Sequence, residues 1–380
     1  MIQTTAIDKS KPISERMALS VIKRYTPDQV KWHYEHGLVL QSIYALANIV
    51  NNAGTDAAEY RRWVKSMYDT KIQDDGSITT YRGDEFNLDQ INPGKQLFDL
   101  YKDTGEQKYR TAIETLRNQL QHHPRTKSGG FWHKQIYPWQ MWLDGLYMQG
   151  PFYARYAAEF GSTEDFTDIV HQFVLIESKA RDEKTGLLYH AWDESREQKW
   201  ANSETGCSPH FWGRALGWYC MALVDTLDFI PPALQKERDA LIAITRRLIA
   251  PLENFQDKES GLWYQVLDQA GREKNYLEAS ASSMFVYFLY RMIRKGHVQN
   301  SDTATAKKTA DAGYDGLMRR LVREDPDGEL HLDGNCSVAG LGGTPYRDGS
   351  YKYYVSEAIR TDDFKGVGSF ILASLEHERS

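Results

Sequence analysis

Two aspartates draw attention through their neighbours. Asp144 sits in YPWQMWLDGLYMQGPF (137–152) among Met141, Trp142, Leu143 and Leu146, and Asp89 sits in FNLDQINPGK (86–95). A carboxyl group in apolar surroundings keeps its proton more readily than one in water, and such a group can serve as a general acid. Each also has a plainer reading. Asp144 precedes a helical pattern and equally fits an N-cap, and Asp89 stands before a Pro-Gly turn. Arg214 and Trp218 lie in FWGRALGWY (211–219). Arg214 has the fork geometry that grips a carboxylate with two parallel hydrogen bonds, though at i,i+4 the two could simply form a cation–π pair. His133 and His190 follow aromatic turn segments and could do no more than bond backbone carbonyls. Lys134 could be a solvated lysine.

Ten Trp, 23 Tyr and 14 Phe make the chain 12% aromatic, and several lie beside Gly, His and Asp rather than in apolar runs. Tyr34, Trp142, Trp212 and Trp218 are of this kind. Flat rings with a polar rim suit the C–H faces of sugars.

Other chemistries lack their residues. There is no GxxxxGK[ST], GxSxG or HExxH, and the glycines of GLGG (340–343) and GVG (366–368) follow no strand of a βαβ unit. His33 and His36 could share a metal but have no third ligand nearby, so no metal and no cofactor are expected. Three cysteines without a CxxC argue against a disulfide framework. A net charge of −6 disfavours nucleic acid or an anionic membrane as partner. The longest stretch free of polar side chains, 215–224, is about half a membrane span. The first residues show no apolar run of signal-peptide type, so the chain reads as cytoplasmic.

The elements that must position these residues are helical. Charged, amphipathic patterns at 57–72, 106–120, 163–180 and 233–252 alternate with more apolar ones at 38–50, 146–160, 211–227 and 279–293. A turn of the form Asp/Ser/Thr–Gly followed by an aromatic or aliphatic residue recurs at 74–81, 128–133, 185–190, 260–265 and 327–332. A sixth junction, KWHYEHG (31–37), opens the first apolar helix. Six junctions imply six helical hairpins, and closing them into a ring removes the need for capping repeats. The expectation is an all-α chain folded as an (α/α)6 barrel, one domain over 1–380 with 1–30 packed on it. Such a barrel brings the junctions to one end, so that Tyr34, Asp89, Asp144, His190, Trp212, Arg214 and Trp218 ring one pocket.

The motifs WHYEHG, LDQINPGK, GGFWHK…YPWQMWLDGLYMQGP, LLYHAWDE, WANSETGCSP and FWGRALGWY resemble glycoside hydrolase family 105, the unsaturated rhamnogalacturonyl hydrolases. The likeness runs from about residue 30 to DDFKGVGSFILA (362–373). It implies hydration of the C4=C5 double bond of an unsaturated galacturonic acid at the non-reducing end of a rhamnogalacturonan disaccharide. Asp144 would be the acid and base and Asp89 a supporting carboxylate. Tyr34, His133, Lys134, Trp142, His190, Trp212, Arg214 and Trp218 would bind substrate, with Lys134 reaching the second sugar. The related unsaturated glucuronyl hydrolases carry a His-Asp pair where this chain has Leu88-Asp89, which favours the rhamnogalacturonyl side. Glucuronyl substrates remain the alternative within that chemistry. A sugar epimerase using paired histidines and a catalytically inactive sugar-binding protein are the readings from other classes.

Overall fold

The computed structural model describes residues 6–50 and 56–380 of the chain; residues 1–5 of the expected N-terminal segment lie outside them. The helices, in chain order, are α1 (Ile13–Arg24), α2 (Tyr34–Ile49), α3 (Asp56–Asp69), α4 (Leu97–Thr104), α5 (Gln107–His122), α6 (Leu143–Glu159) and α7 (Asp165–Ala180). They continue as α8 (Gly213–Leu227), α9 (Gln235–Asn254), α10 (Ala279–Arg294), α11 (Ser301–Arg320), α12 (Tyr351–Ser356) and α13 (Phe364–His377). Among the described residues six short strands pair as three antiparallel ribbons: β1 (Gln140–Trp142) with β2 (Ala191–Asp193), β3 (Val322–Glu324) with β4 (Leu330–Leu332), and β5 (Asn335–Cys336) with β6 (Ile359–Arg360).

Burial separates two kinds of helix, as the composition of each segment dictates. In α5 the buried Tyr109, Ala112, Ile113, Leu116 and Leu120 recur at helical spacing along one stripe. Every residue of α8 is buried. The all-round buried helices form a closed ring in which α2 meets α13 on one side and the 3-10 turn Asn92–Gln96 on the other. That turn, which runs into α4, packs on α6, and the ring continues through α8 and α10 back to α13. The amphipathic helices α3, α5, α7, α9 and α11 wrap the outside, and α1 lies against α13 and α2 as their counterpart. The all-α barrel of inner and outer helices is therefore the observed fold.

The second inner element is short because Pro93 and Gly94 begin it. A Cβ at Gly94 would meet Leu116 at 2.3 Å, and one at Gly37 would meet the Pro93 backbone at 2.8 Å. Close approach of backbone to backbone closes the ring here.

The recurring turns act as clasps. Ile72 bridges Ile78, Arg125 bridges Phe131 and Arg181 bridges Leu188, each across an outer helix end and the segment returning inward. At 182–187 the Asp182 carboxylate accepts the Thr185 N–H while Gly186 takes φ +72°, a combination that asks for Asp and Gly. The same chemistry recurs at Asp257 and Gly261, which explains the sequence repeat. GVG (366–368), by contrast, is a packing surface inside α13, where Gly366 abuts Asn335 and Gly368 abuts Leu38.

Candidate active site

Tyr34, Asp144 and Arg214 stand in the first turns of α2, α6 and α8, with Trp212 just before α8, and Asp89 precedes the 92–96 turn. Inner helix N-termini therefore converge on one end of the barrel. Each carries about half a positive charge, so the end as a whole favours an anionic guest.

The two aspartates sit in opposite surroundings. Asp89 is buried, with Lys134 Nζ at 2.6 Å and His133 Nε2 at 3.7 Å. Burial alone would raise its pKa, but Lys134 and then His133 and His33 outweigh it and hold the group at about 2. Asp89 is a fixed anion. Asp144 has no Lys or Arg within 4 Å among the described residues; its one charge-capable neighbour is His190, whose Nε2 lies 3.2 Å from Oδ2. Both of these atoms are buried, and neither makes an aligned hydrogen bond. Asp144 caps nothing either, because Trp142 holds the N-cap position of α6. Asp89 itself lies in the 3-10 turn Leu88–Gln90, as its plainer reading had it.

His190 is fully buried, and its Nδ1 shares a 2.8 Å hydrogen bond with the Tyr354 hydroxyl. Trp142 and Trp212 flank it at 5.3 and 4.8 Å between ring centroids. His133 and Trp142 stack at 4.4 Å, and Tyr137 stacks on Trp142 at 4.9 Å, with its ring 6.5 Å from that of His133. Burial pushes His133 down to about 4, so it is neutral near pH 7. Among the described residues neither histidine bonds a backbone carbonyl through its ring. His36, drafted as half of a metal pair, shares its Nδ1 with Tyr25 at 2.5 Å.

The alternative reading, an Arg214–Trp218 cation–π pair, is not found among the described residues. The Arg214 guanidinium lies 4.9 Å from the Trp212 ring instead, drawn by the carbonyls of Cys336 and Ser337, the latter 3.4 Å from Nη2. Nothing local in the sequence announces acceptors from 122 residues away. Trp218 faces the barrel axis, where it stacks on Tyr147 at 4.9 Å and meets the edge of Tyr34 at 5.9 Å. Beneath it Lys95 Nζ rests 3.6 Å from the Tyr147 ring, and burial pushes that amine down to about 7. Tyr34 remains partly exposed and lies in the combined field of Asp89, Asp144 and Arg214. Burial first, and then the carboxylates, keep its phenol protonated.

All the expected residues therefore gather at one end, linked ring to ring from Trp142 through His190 and Trp212 to Arg214. Tyr354, Tyr137 and Arg347 escaped the sequence reading. Arg347 Nη2 donates to Tyr137 Oη at 2.7 Å, so the 340–354 segment folds back over the Trp142 wall. Its tyrosines and glycines were the available signal, but they sit in an irregular stretch with no period to read.

Known proteins supply the remaining comparison. The family model for Glycosyl Hydrolase Family 88 matches residues 13–380. A solved family 105 glycoside hydrolase from C. acetobutylicum ATCC 824 superposes with a TM-score of 0.92 and 47% identity, covering 97% of this chain and 100% of that one. Protein Atu3128 of Agrobacterium fabrum is 40% identical over 232 residues, 60% of this chain and 96% of its own. The unsaturated rhamnogalacturonyl hydrolase YesR of Bacillus subtilis is 28% identical over 272 residues, 69% of this chain and 71% of its own. With a helical barrel, a site at the inner helix N-termini and likeness along its length, this chain belongs to the glycoside hydrolases of families 88 and 105, and within them to family 105.

Proposed function

We propose that the protein hydrates the C4=C5 double bond of an unsaturated galacturonic acid linked to rhamnose, freeing the two sugars. The contrast between the carboxylates carries this reading. Asp89 is held as an anion by Lys134, whereas Asp144 stands among aromatic rings without a cation and is the group free to gain and lose a proton. The Tyr354 hydroxyl has no other partner among the described residues, so it donates to His190 Nδ1 and leaves the imidazole proton on Nε2, facing Asp144 Oδ2. The proton to be transferred in this reading is that of the Asp144 carboxyl.

In the first step Asp144 gives that proton to C4, the π electrons form the C4–H bond, and the charge left at C5 is shared with the ring oxygen. Asp144, now a carboxylate, takes a proton from water as the water oxygen bonds to C5. The hemiketal opens when its C5–ring-oxygen bond breaks, leaving a ketone at C5 and a hemiacetal at C1. Collapse of C1 to the aldehyde expels rhamnose as an alcohol. No bond at C1 breaks under direct attack, so the paired-carboxylate spacing of ordinary glycosidases does not apply. Arg214 would anchor the uronate carboxylate, Lys134 the second sugar, and Tyr34, Trp212 and Trp218 the ring faces. The likeness to YesR, an unsaturated rhamnogalacturonyl hydrolase, supports the choice of leaving group.

The test follows loss of the conjugated enol-ether absorbance in unsaturated galacturonyl-rhamnose, beside the matching glucuronyl disaccharide. Asp144→Asn should lower kcat at least a thousandfold while substrate still binds. Retained turnover in that variant removes Asp144 from the role of acid, and faster turnover of the glucuronyl sugar reassigns the substrate.

A further inference from the structure

Arg214 carries a buried positive charge with no carboxylate within 4 Å among the described residues. Its recorded bonds are few: Nη1 reaches the Cys336 carbonyl and Ser280 Oγ (3.4 Å), and Nη2 reaches the Ser337 carbonyl. Nε has no partner. Two of the five guanidinium donors, Nε–H and one Nη2–H, are left over.

The acceptors that hold Arg214 trace back to one residue. Glu278, wholly buried, stands just before α10 and caps it by accepting the Ala281 N–H at 2.6 Å. It also accepts the Cys336 N–H at 2.8 Å and the Ser280 hydroxyl at 2.8 Å. Cys336 thus offers its N–H to Glu278 and its carbonyl to Arg214, while Ser280 donates to Glu278 and presents its oxygen to Arg214. Both Glu278 oxygens are filled by neutral donors, so the carboxylate balances the guanidinium charge from one residue away. A direct pair would occupy the fork that a uronate needs. A guanidinium with no anion nearby would be costly to bury.

We infer that Glu278 is a positioning residue for substrate recognition: it orients Arg214 through Cys336 and Ser280 and compensates its charge without pairing with it, which leaves the fork uncommitted for the uronate carboxylate. The inference rests on the proposed role of Arg214.

The test uses two non-reacting ligands that differ only in the carboxylate, galacturonic acid and galactose, titrated calorimetrically into the whole protein. Wild type should favour the acid at least tenfold. Glu278→Gln, close in shape but neutral, should cut that preference at least fivefold and leave galactose affinity as it was. On the unsaturated disaccharide the loss should fall on KM rather than kcat, as expected for binding shared by ground and transition states. Ser280→Ala, which keeps the other Glu278 bonds, should lose part of the preference and serves if Glu278→Gln does not fold. Unchanged acid preference in a folded variant, an equal loss for both ligands, or no preference in wild type overturns the inference. Wild type that prefers galacturonate yet leaves the enol ether intact overturns the proposed reaction and supports the role of Glu278.

Discussion

Replacing Lys134 by Met tests whether Asp89 is the permanently charged carboxylate. The ammonium lies 2.6 Å from Oδ2, and Asp89 is held at about 2 against an ordinary 3.8. At about 1.4 kcal/mol for each pH unit, that drop corresponds to about 2 kcal/mol of native-state stabilisation. Breaking a buried pair costs about 3–5 kcal/mol, and partial exposure of Lys134 softens the effect, so a loss of about 2–4 kcal/mol is expected at pH 7. Urea denaturation read by tryptophan fluorescence measures it. The sign of the pH dependence follows from the lowered pKa. Asp89 stabilises the fold above 3.8, and the contribution is lost as pH falls towards 2. In the variant, burial acts with less opposition and Asp89 protonates at or above its ordinary value. The gap between variant and wild type should therefore begin to narrow there and vanish near pH 2. Adding Asp89→Asn to Lys134→Met removes the stranded charge and should restore at least half of the loss. A loss below about 0.5 kcal/mol, or a double variant no better than the single one, would refute the fixed-anion argument and with it the division of labour between the two aspartates.

Other perturbations probe the rest of the site and the barrel. Tyr354→Phe strands His190 Nδ1 in a buried place, which should cost about 1–3 kcal/mol of stability and lower kcat about tenfold with little change in KM; unchanged kcat would show that His190 needs no such orientation. Gly37→Ala sets a Cβ 2.8 Å from the Pro93 backbone and should cost about 1–3 kcal/mol in thermal or urea unfolding, whereas an unchanged midpoint would mean the ring can yield there. His36, His123, His133 and His297 are all pushed by burial to about 4. They stay neutral in the fold while the unfolded chain protonates at 6.5, so stability is full above 6.5 and should fall by several kcal/mol, order of magnitude, as pH drops towards 4. Urea midpoints that stay flat over that window would contradict the burial assigned to these rings.

Much of this was legible in the chain itself. The alternation of amphipathic and apolar helical segments is a local property, and it located α3, α5, α7 and α9 outside and α2, α6, α8 and α10 inside to within a few residues. The Asp–Gly turns revealed the repeat because their geometry asks for those residue types. The order of the motifs, each before an inner helix, was enough to place the expected site residues at one end. Less could be read where the period was short or broken. The second inner element begins with Pro93 and Gly94 and lacks a helical stripe, and α13 carries Gly366 and Gly368 where a packing surface looks like a loop.

What the tertiary structure alone decided is how each charged group is paired. Sequence marks Asp89 and Asp144 as two similar carboxyls. Folding sets Lys134 against Asp89, which stays an anion, and leaves only a histidine within ion-pair reach of Asp144 among the described residues. It likewise sends Arg214 to carbonyls at 336 and 337 instead of to its helical neighbour Trp218, and it brings Tyr354 to His190. Helical periodicity reports which face of a segment meets the core. Protonation and orientation depend on contacts between residues from tens to more than a hundred positions apart, which no local pattern encodes.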